Sequence, residues 1–397
     1  MTAGQGDRMP DLRDTRIAFA DKNDQELRQT ELLFRILGNP FISTLGQRSS
    51  LLALRLGLPV TGLIKRTIFR QFCGGETIGE SLATAERLYR SNIGTILDHS
   101  VEGQDDEASL DEAVKEILRT IEVARDRKEV PFCVFKPSGI SRNRLLEKIS
   151  AKAALTAAEQ TEWERVRKRF DILCGNAHAA GIPILIDAEE SWLQQAVDDL
   201  VDEMMARYNR ERCVVFNTIQ LYRHDRLAFL HASLDKAHAG GYHLGMKFVR
   251  GAYMEKERER AQEMGYPSPI HKDKPSVDRD YDEALNVFMD HIDRMALVAG
   301  SHNENSTLVL ARLMREKGIA KDDARVWFSQ LLGMSDNISY NMAAEGYNVV
   351  KYVPYGPVKK VLPYLIRRAA ENSSVAGQTN RESLMLRTEL KRRRDRK

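Results

Sequence analysis

The sequence is poor in cysteine, and its four cysteines, Cys73, Cys133, Cys174 and Cys213, lie far apart without a CxxC spacing. This distribution indicates neither a disulfide framework nor a cysteine zinc site, and it favours a reducing compartment. The chain also lacks any apolar run near the roughly 20 residues that cross a bilayer. We therefore expect a soluble protein with at most peripheral membrane contact.

Several common functional motifs are absent as well. No GxGxxG, HExxH or GxSxG pattern occurs, which removes the usual signals for dinucleotide binding, zinc proteolysis and serine hydrolysis. The stretch GLPVTGLIK at 57–65 has the two glycines of a phosphate loop, but Leu63 stands where that loop needs lysine. His224, His231 and His238 recur every seven residues, a rise of about 10.5 Å on a helix, so neighbours cannot share one zinc. A solvated helix face is expected there.

Charge of either sign is nearly balanced, with 60 basic and 57 acidic side chains. The basic excess collects at 387–397, where no aromatic residue interleaves it, so we expect a solvated helix end and no nucleic-acid partner. Residues 1–26 contain early acids and no apolar segment, unlike a secretory signal or transit peptide. We expect a cytoplasmic protein, at most peripheral on the inner face of the cytoplasmic membrane.

What the sequence does contain is a repeated alternation of short apolar runs with longer helical patterns. This alternation is typical of βα units around a parallel sheet. Eight such units predict an α/β fold of the (β/α)8 TIM-barrel type. The runs are 94–100, 131–138, 182–190, 213–220, 244–253, 297–303, 325–333 and 348–356.

The barrel is predicted to be one of three segments. Residues 1–93 are expected to form an N-terminal helical extension, 94–376 the barrel, and 377–397 a basic C-terminal tail. Two helix starts fit the capping-box spacing, Ser109 with Glu112 and Thr156 with Glu159.

Polar residues follow the apolar runs closely. In (β/α)8 barrels the carboxyl ends of the strands carry the chemistry. One polar residue there is usually a structural group, but many together favour a shared site. They are Lys136, Asp187, Gln220, Lys247, Arg250, His302, Gln330 and Tyr352.

A helical pattern near the C-terminus sets Tyr364, Arg367, Arg368 and Glu371 on one face, at i, i+3, i+4 and i+7. One interpretation is a solvated stripe with an Arg367–Glu371 pair, which stabilises little. The other interpretation is a face that meets a ligand.

Three stretches carry a family resemblance: FVRGAYMEKERERA at 248–261, QLLGM at 330–334 and YVPYGPVKKVLPYLIRRAAENSSV at 352–375. With these motifs the chain resembles proline dehydrogenases from about residue 74 to the tail. The resemblance implies a distorted (β/α)8 barrel that holds FAD, with a final helix over the barrel mouth that closes a proline pocket. It also implies oxidation of L-proline to Δ1-pyrroline-5-carboxylate, a membrane quinone as electron acceptor, and a pyrroline-5-carboxylate dehydrogenase as a partner.

The resemblance further implies roles for individual residues. Arg367 and Arg368 are expected to grip the proline carboxylate, because planar guanidinium groups bind carboxylates bidentately, with Lys136 as a third donor. The expected walls of the pocket are Tyr352, Tyr364, Leu331, Ala252 and Tyr253. The residues taken as catalytic are Asp187, Lys247, Tyr352, Arg367 and Arg368.

For FAD, the resemblance implies Gln220 and Lys247 near the isoalloxazine and Arg250, Gly251 and Ala252 along the ribityl and pyrophosphate groups. Many bacterial members carry arginine where this chain has Lys247. No metal is expected. The remaining expected cofactor residues are Ala188, Ser301, His302, Gln330 and Glu371, of which Glu371 is also expected to orient the arginine pair.

Two rival functions stay open at this point. Hydroxyproline dehydrogenase uses the same scaffold, but members that prefer hydroxyproline have a smaller residue where this chain has Tyr352, so Tyr352 favours proline. A flavin-free barrel lyase or aldolase would instead form a Schiff base at Lys136 or Lys247.

Overall fold

The computed structural model describes residues 9–37, 61–100, 105–374 and 378–396, except the side chains of residues 63, 369–374 and 378–380. Each of the eight predicted apolar runs overlaps a β-strand; β1 begins one residue before its run, at Ile93, and β6 begins two residues before its run, at Met295. The strands form one closed barrel in the order β1 to β8 along the chain, which confirms the (β/α)8 fold. They are β1 (Ile93–His99), β2 (Phe132–Phe135), β3 (Ile184–Ile186), β4 (Val215–Gln220), β5 (Leu244–Val249), β6 (Met295–Gly300), β7 (Val326–Leu331) and β8 (Val349–Tyr355).

Helices occupy most of the remaining described sequence. Residues Lys65–Phe69 form a π-helical turn between two short α-helices, and Pro137–Gly139 form a 3-10 turn after β2. The α-helices are α1 (Thr15–Ala18), α2 (Asp24–Leu37), α3 (Thr61–Ile64), α4 (Arg70–Phe72), α5 (Ile78–Tyr89), α6 (Glu107–Arg125), α7 (Asn143–Ser150), α8 (Ala157–Ala180), α9 (Ser191–Tyr208), α10 (Arg226–Gly240), α11 (Met254–Met264), α12 (Lys274–Asp290), α13 (Glu304–Glu316), α14 (Asp336–Ala344), α15 (Val358–Ser374) and α16 (Gln378–Arg394).

The strands are buried along almost their whole length. Every residue of β2, β3, β4 and β8 is buried, as expected of a parallel sheet that is covered on both faces. This double burial explains why the runs read as continuous apolar stretches in the sequence. It also leaves the strand ends as the natural place for polar side chains.

One of the two predicted capping boxes is confirmed and the other is wrong. Thr156 caps α8 and exchanges hydrogen bonds with Glu159 as predicted. The cap of α6 is Asp106, whose carboxylate accepts from the Ser109 N–H at 2.9 Å, so the helix begins earlier than the Ser109 spacing predicts. An aspartate is a strong N-cap, and its negative charge also interacts favourably with the helix N-terminus.

The histidine row is confirmed as a solvated surface. His231 and His238 are exposed on α10, and His224 is exposed just before this helix begins. In the described residues, no group of three or more His, Cys, Asp or Glu side chains is arranged to hold a metal ion. Within the same ranges, no helix is both long and apolar enough to span a bilayer.

The chain divides into two compact units. The first unit comprises Met1–Ser100 and Gln330–Lys397, and the second unit comprises Val101–Ser329. In the first unit, Phe34, Phe72, Val361, Leu365 and Leu386 belong to one buried apolar cluster. The predicted segment limits at residues 93 and 376 stay predictions.

The basic C-terminal helix α16 is only partly the solvated end that its sequence predicts. Lys391 and Arg394 are exposed. Arg393, however, donates to the backbone oxygens of Phe19 at 2.9 Å and Lys22 at 2.8 Å, and it pairs with the fully buried Glu389 at 2.7 Å. Carbonyl groups at a helix C-terminus lack partners within the helix and attract cations, and Phe19 caps α1.

Candidate functional site

Three predicted site residues of the second unit meet in one charged group, the Asp187 cluster, formed by Lys136, Asp187 and Lys247. Lys136 directly follows β2, Asp187 directly follows β3, and Lys247 lies within β5. The Lys136 Nζ lies 3.3 Å from Asp187 Oδ2, and the Lys247 ammonium donates to Asp187 Oδ1. The prediction that strand-end charges lie together is therefore correct for these three residues.

Backbone geometry fixes the central carboxylate of this cluster. The Asp187 N–H donates to the carbonyl of Phe135, the last residue of β2, at 3.0 Å. Asp187 and Lys247 are 9% and 6% exposed, so water screens their interaction poorly. Two ammonium groups thus share one carboxylate, and ammonium groups are donors that can bind an anionic ligand.

Glu189 is a buried residue that the sequence reading missed. Its carboxylate accepts from the Ser138 N–H at 2.7 Å and from the Ser138 hydroxyl, and its backbone oxygen accepts from Gln220 Nε2 at 2.6 Å. These bonds tie together the segments that follow β2 and β3 and the end of β4, and they hold the predicted cofactor residue Gln220. Ala188 lies between Asp187 and Glu189. The sequence signal that could have identified Glu189 is the pair of acids, Glu189 and Glu190, that follows Ala188 shortly after the end of β3.

Arg250, which follows β5, is held by three acceptors. Its guanidinium donates to Asp278 Oδ1 at 2.9 Å, to the Ser301 hydroxyl at 2.7 Å and to the Ser306 hydroxyl at 2.8 Å. It also lies 4.3 Å from the ring centroid of Tyr281. The structure thus brings together the predicted cofactor residues Arg250 and Ser301, and His302 follows Ser301 as a partly buried residue.

The electrostatics agree with this arrangement. Burial would raise the pKa of the Asp278 carboxyl, but Lys274 and Arg250 hold that pKa below its ordinary value. Asp278 is therefore ionised at neutral pH and orients the guanidinium. Neither Asp278 nor Ser306 was among the predicted residues, because each lies on a helix and the prediction considered the strand ends.

Gly251 has a structural reason to be glycine. Its φ is +135°, and a Cβ at this position would collide with the ring of Tyr222. The Tyr222 N–H donates to the Arg250 carbonyl at 2.6 Å, which fixes the same turn. Gly251 and Ala252 are exposed, and Tyr253 is partly buried immediately before α11.

In the first unit, α15 carries the tyrosine and the two arginines of the predicted ligand face. Tyr364 and Arg368 are 6% and 7% exposed, and the Arg368 guanidinium carbon lies 5.1 Å from the Tyr364 ring centroid. A fully solvated stripe is therefore wrong for these two residues. Arg367 is partly buried, and the side chain of Glu371 lies outside the described residues.

The other predicted residues of the first unit lie on β7 and β8. Gln330 is buried, and its Oε1 accepts from the Ser339 hydroxyl at 2.8 Å. Leu331 is partly buried at the end of β7, and Tyr352 is 7% exposed on β8. The Leu332 N–H donates to the Tyr352 carbonyl at 2.9 Å, so the end of β7 and Tyr352 are directly connected.

Comparison with known proteins places these motifs in a family. A sequence model of the family described as "Proline dehydrogenase" matches residues 81–381. Proline dehydrogenase 1, mitochondrial, of Dictyostelium discoideum is 31% identical over 96% of this chain and 74% of its own. Carbapenem antibiotics biosynthesis protein CarD of Pectobacterium carotovorum subsp. carotovorum is 37% identical over 81% of this chain and 83% of its own. Hydroxyproline dehydrogenase of Xenopus laevis is 31% identical over 94% of this chain and 88% of its own.

Solved structures agree on the fold. Proline utilization A (PutA) from Bdellovibrio bacteriovorus, inactivated by N-propargylglycine, aligns with a TM-score of 0.70 at 17% identity over 90% of this chain and 38% of that chain. A Bradyrhizobium japonicum PutA mutant aligns with a TM-score of 0.67 at 20% identity over 96% of this chain and 43% of that chain. The chain thus spans about two fifths of the length of these PutA chains, and at such identity the likeness concerns the fold alone.

Proposed function

The chain belongs to the proline dehydrogenase family, and from this premise we propose that it is an FAD-dependent oxidoreductase that converts L-proline to Δ1-pyrroline-5-carboxylate. Electrons then pass to a membrane quinone. The observation that carries the proposal is the Asp187 cluster, in which a buried carboxylate directly after β3 holds Lys136, directly after β2, and Lys247, within β5. A (β/α)8 fold concentrates chemistry at the carboxyl ends of its strands, where Lys136 and Asp187 lie.

The residues present suit a flavin. Lys247 supplies a cation within β5, Gln220 supplies an amide at the end of β4, and Arg250 is fixed by Asp278, Ser301 and Ser306. Basic donors of this kind bind a pyrophosphate and stabilise a reduced, anionic ring. FAD, when bound, supplies the acceptor for hydride from the ring carbon beside the proline nitrogen.

Substrate binding is assigned to α15 and the strands of the first unit. Arg367 and Arg368 have the planar geometry that grips a carboxylate with paired hydrogen bonds. Stacking against Tyr364 limits the orientations of the Arg368 guanidinium before substrate arrives, which reduces the ordering that binding requires. Tyr364 and Tyr352, both almost fully buried, supply the apolar walls for the pyrrolidine ring.

Asp187 has a separate role in the second unit. By accepting from Lys136 and Lys247 it fixes the positions of both ammonium groups. Preorganised charge stabilises developing negative charge without further rearrangement. The carboxylate therefore orients cationic groups, and no proton transfer is assigned to it.

A visible spectrum of the purified protein tests the proposal most directly. We expect an oxidised-flavin spectrum that bleaches when excess L-proline is added without oxygen. The product should be the cyclic imine Δ1-pyrroline-5-carboxylate, which a trapping reagent can capture. A colourless protein that borohydride cross-links to a ketone or aldehyde would instead support the Schiff-base lyase. A flavin that stays oxidised in proline would overturn the assignment of substrate.

Hydroxyproline oxidation is the second candidate, favoured by the similarity to the Xenopus hydroxyproline dehydrogenase. Tyr352 argues for proline, because a large buried aromatic ring crowds a 4-hydroxyl group. We expect Tyr352→Ser to raise the ratio of 4-hydroxyproline to proline activity. An unchanged ratio would remove this reason for ranking proline first.

We further propose a cytoplasmic location with peripheral contact at the inner face of the cytoplasmic membrane, where a quinone is accessible. A pyrroline-5-carboxylate dehydrogenase is proposed as the partner that consumes the product. Both follow from the family and from the chemistry of the acceptor. Recovery of the protein from cell membranes by a salt wash tests the location, and recovery only after detergent would contradict peripheral contact.

A further inference from the structure

The segment that joins β7 to α14 begins directly after the proposed pocket residue Leu331. It contains two residues with positive φ, Gly333 at +75° and Ser335 at +51°. A non-glycine residue in this conformation is strained and persists only where surrounding contacts impose it. The contacts around residues 332–335 should therefore reveal what imposes this conformation.

Lys351 on β8 supplies the first set of contacts. Its side chain is fully buried, and its ammonium donates to the carbonyls of Leu331 at 3.3 Å and Met334 at 2.6 Å and to Asp336 Oδ1 at 2.9 Å. Three donors meet three acceptors, which is the full capacity of an ammonium group. Because Tyr352 is the next residue, Lys351 connects both pocket residues to the segment.

Lys22 supplies the second contact from the N-terminal side of the chain. Its ammonium lies 2.6 Å from Asp336 Oδ2, so Asp336 is held between Lys22 and Lys351. Burial would raise the pKa of Asp336, but the two ammonium groups hold it far below its ordinary value. Lys22 lies outside residues 81–381, the range that matches the family.

Glu382 on α16 supplies the third contact. Its carboxylate accepts from the Ser335 N–H at 2.6 Å, which satisfies a backbone donor at the residue with the strained conformation. Glu382 also lies just beyond the range that matches the family. We call Lys22, Asp336, Lys351 and Glu382 the Asp336 cluster.

A fourth contact comes from α4. Gln71 Nε2 donates to the Gly333 carbonyl at 2.8 Å, and a Cβ at Gly333 would collide with the Gln71 backbone. Every residue between Leu331 and Asp336 is thus fixed by elements of the first unit. Three of the residues that make these contacts, Lys22, Gln71 and Glu382, lie outside the family match.

We propose that Lys22, Lys351 and Glu382 are positioning residues for substrate: by holding residues 332–335, they set the positions of Leu331 and Tyr352. Neither Lys22 nor Glu382 is assigned a contact with proline. The inference rests on the proposed function, since it takes Leu331 and Tyr352 as walls of the proline pocket. It goes further by giving the segments that flank the family match a role in substrate selection.

Lys351→Met removes the three donors while keeping the length of the side chain. We expect the KM for proline to rise by roughly tenfold or more, because the segment next to Leu331 is no longer fixed once one to two hydrogen bonds are lost. The change in kcat should be smaller. The ratio of 4-hydroxyproline to proline activity should change as well. A variant that is merely less stable loses kcat for both substrates in proportion and leaves this ratio and KM unaltered.

Because a change at a fully buried lysine can prevent folding, Lys22→Met and Glu382→Ala serve as further variants. Both should shift KM and the substrate ratio in the same direction as Lys351→Met, by smaller factors. Lys22→Arg and Glu382→Gln keep the cation and the acceptor, respectively, and should restore wild-type values. Lys359→Met, on the exposed part of α15, is the matched control.

The outcomes separate this inference from the proposed function. If the wild-type flavin is not reduced by proline, the proposed function fails. If the wild type oxidises proline while Lys22→Met and Glu382→Ala keep its KM and substrate ratio, the positioning role is wrong and the function stands. A KM shift without rescue by Lys22→Arg and Glu382→Gln would also overturn it.

Discussion

Two buried aspartates in this protein each lie between two lysines, but the residues around them come from different parts of the chain. In the second unit, Asp187 lies between Lys136 and Lys247, and in the first unit, Asp336 lies between Lys22 and Lys351. The aspartate side chains are 13% and 11% exposed. All three residues of the Asp187 cluster lie within the family match, whereas Lys22 and Glu382 of the Asp336 cluster lie outside it.

We propose that the same pairing serves chemistry in one cluster and support in the other. Lys136 and Lys247, which share Asp187, are proposed to face a ligand, as the family resemblance implies. The Asp336 cluster directs its donors to backbone carbonyls, so its lysine holds a chain segment. The predictions below test whether the two clusters really differ in this way.

The largest expected effect is on stability, from Asp336→Asn. Removing one charge from a buried ion pair leaves its partners uncompensated, so we expect a loss of about 3–5 kcal/mol in the free energy of unfolding. Urea unfolding followed by circular dichroism measures it. Asp290→Asn, which breaks an exposed pair with Lys317, is the control and should change stability by less than about 1 kcal/mol. Equal unfolding curves for the two variants would contradict a supporting role.

Asp187→Asn should act chiefly on catalysis. We expect kcat/KM for proline to fall by roughly a hundredfold, or about 3 kcal/mol of transition-state stabilisation, because both ammonium groups lose their fixed position. Steady-state kinetics with flavin content measured in parallel tests this. If Asp187→Asn loses as much stability as Asp336→Asn and keeps its kcat/KM, the Asp187 cluster has a supporting role like that of the Asp336 cluster.

Arg367→Met sharpens the assignment of the substrate carboxylate to the first unit. Loss of a charge-assisted hydrogen bond of about 2 kcal/mol corresponds to a rise of roughly thirtyfold in the KM for proline, with flavin retained. Lys359→Met on the same helix should leave KM unchanged. Tetrahydrofuran-2-carboxylate, which keeps the carboxylate but lacks the amine, should inhibit competitively. Noncompetitive inhibition would count against the proposed grip.

The smallest expected effect is a pH dependence at Glu382. Burial raises the pKa of its carboxyl to about 7, against the lowering effect of the Ser335 N–H bond; Asp336 raises this pKa further, and Lys351 and Lys22 lower it. A raised carboxyl pKa means that the folded state binds the proton more tightly than the unfolded state does. The contribution of Glu382 to stability is therefore fully present below the ordinary pKa and is lost as pH rises through about 7.

Thermal melting of Glu382→Gln across about pH 5 to 8 checks this sign. The glutamine keeps an acceptor for Ser335 but does not titrate, so the variant should gain stability relative to wild type as pH rises. Glu112→Gln, an exposed helix position, should run parallel to wild type. A variant that instead loses stability relative to wild type as pH rises would show that Glu382 titrates with a lowered pKa.

Part of the candidate site could be predicted from sequence. Lys136 and Asp187 follow apolar runs, and barrel geometry brings such strand ends together. The face shared by Tyr364 and Arg368 follows from helical periodicity, and their contact at 5.1 Å confirms it. The individual roles assigned to these residues stay predictions.

Other features escaped the sequence for identifiable reasons. Lys22 and Asp336 are separated by 314 positions, and no local pattern links them. Lys351 stands inside an apolar strand pattern, which was a signal of a buried charge but did not reveal its partner. At α6, the spacing of Ser109 and Glu112 predicts a cap at Ser109, whereas the extended backbone before the helix lies at Asp106, which is the cap.

The sequence by itself determined the eight βα units, the polar strand ends and the arginine face of α15, because backbone geometry converts residue spacing directly into periodicity. Only the tertiary structure decided which lysines share an aspartate, which carboxyl becomes hard to ionise and which carbonyl receives Arg393. These depend on burial and on contacts between residues hundreds of positions apart, and local spacing contains no record of either.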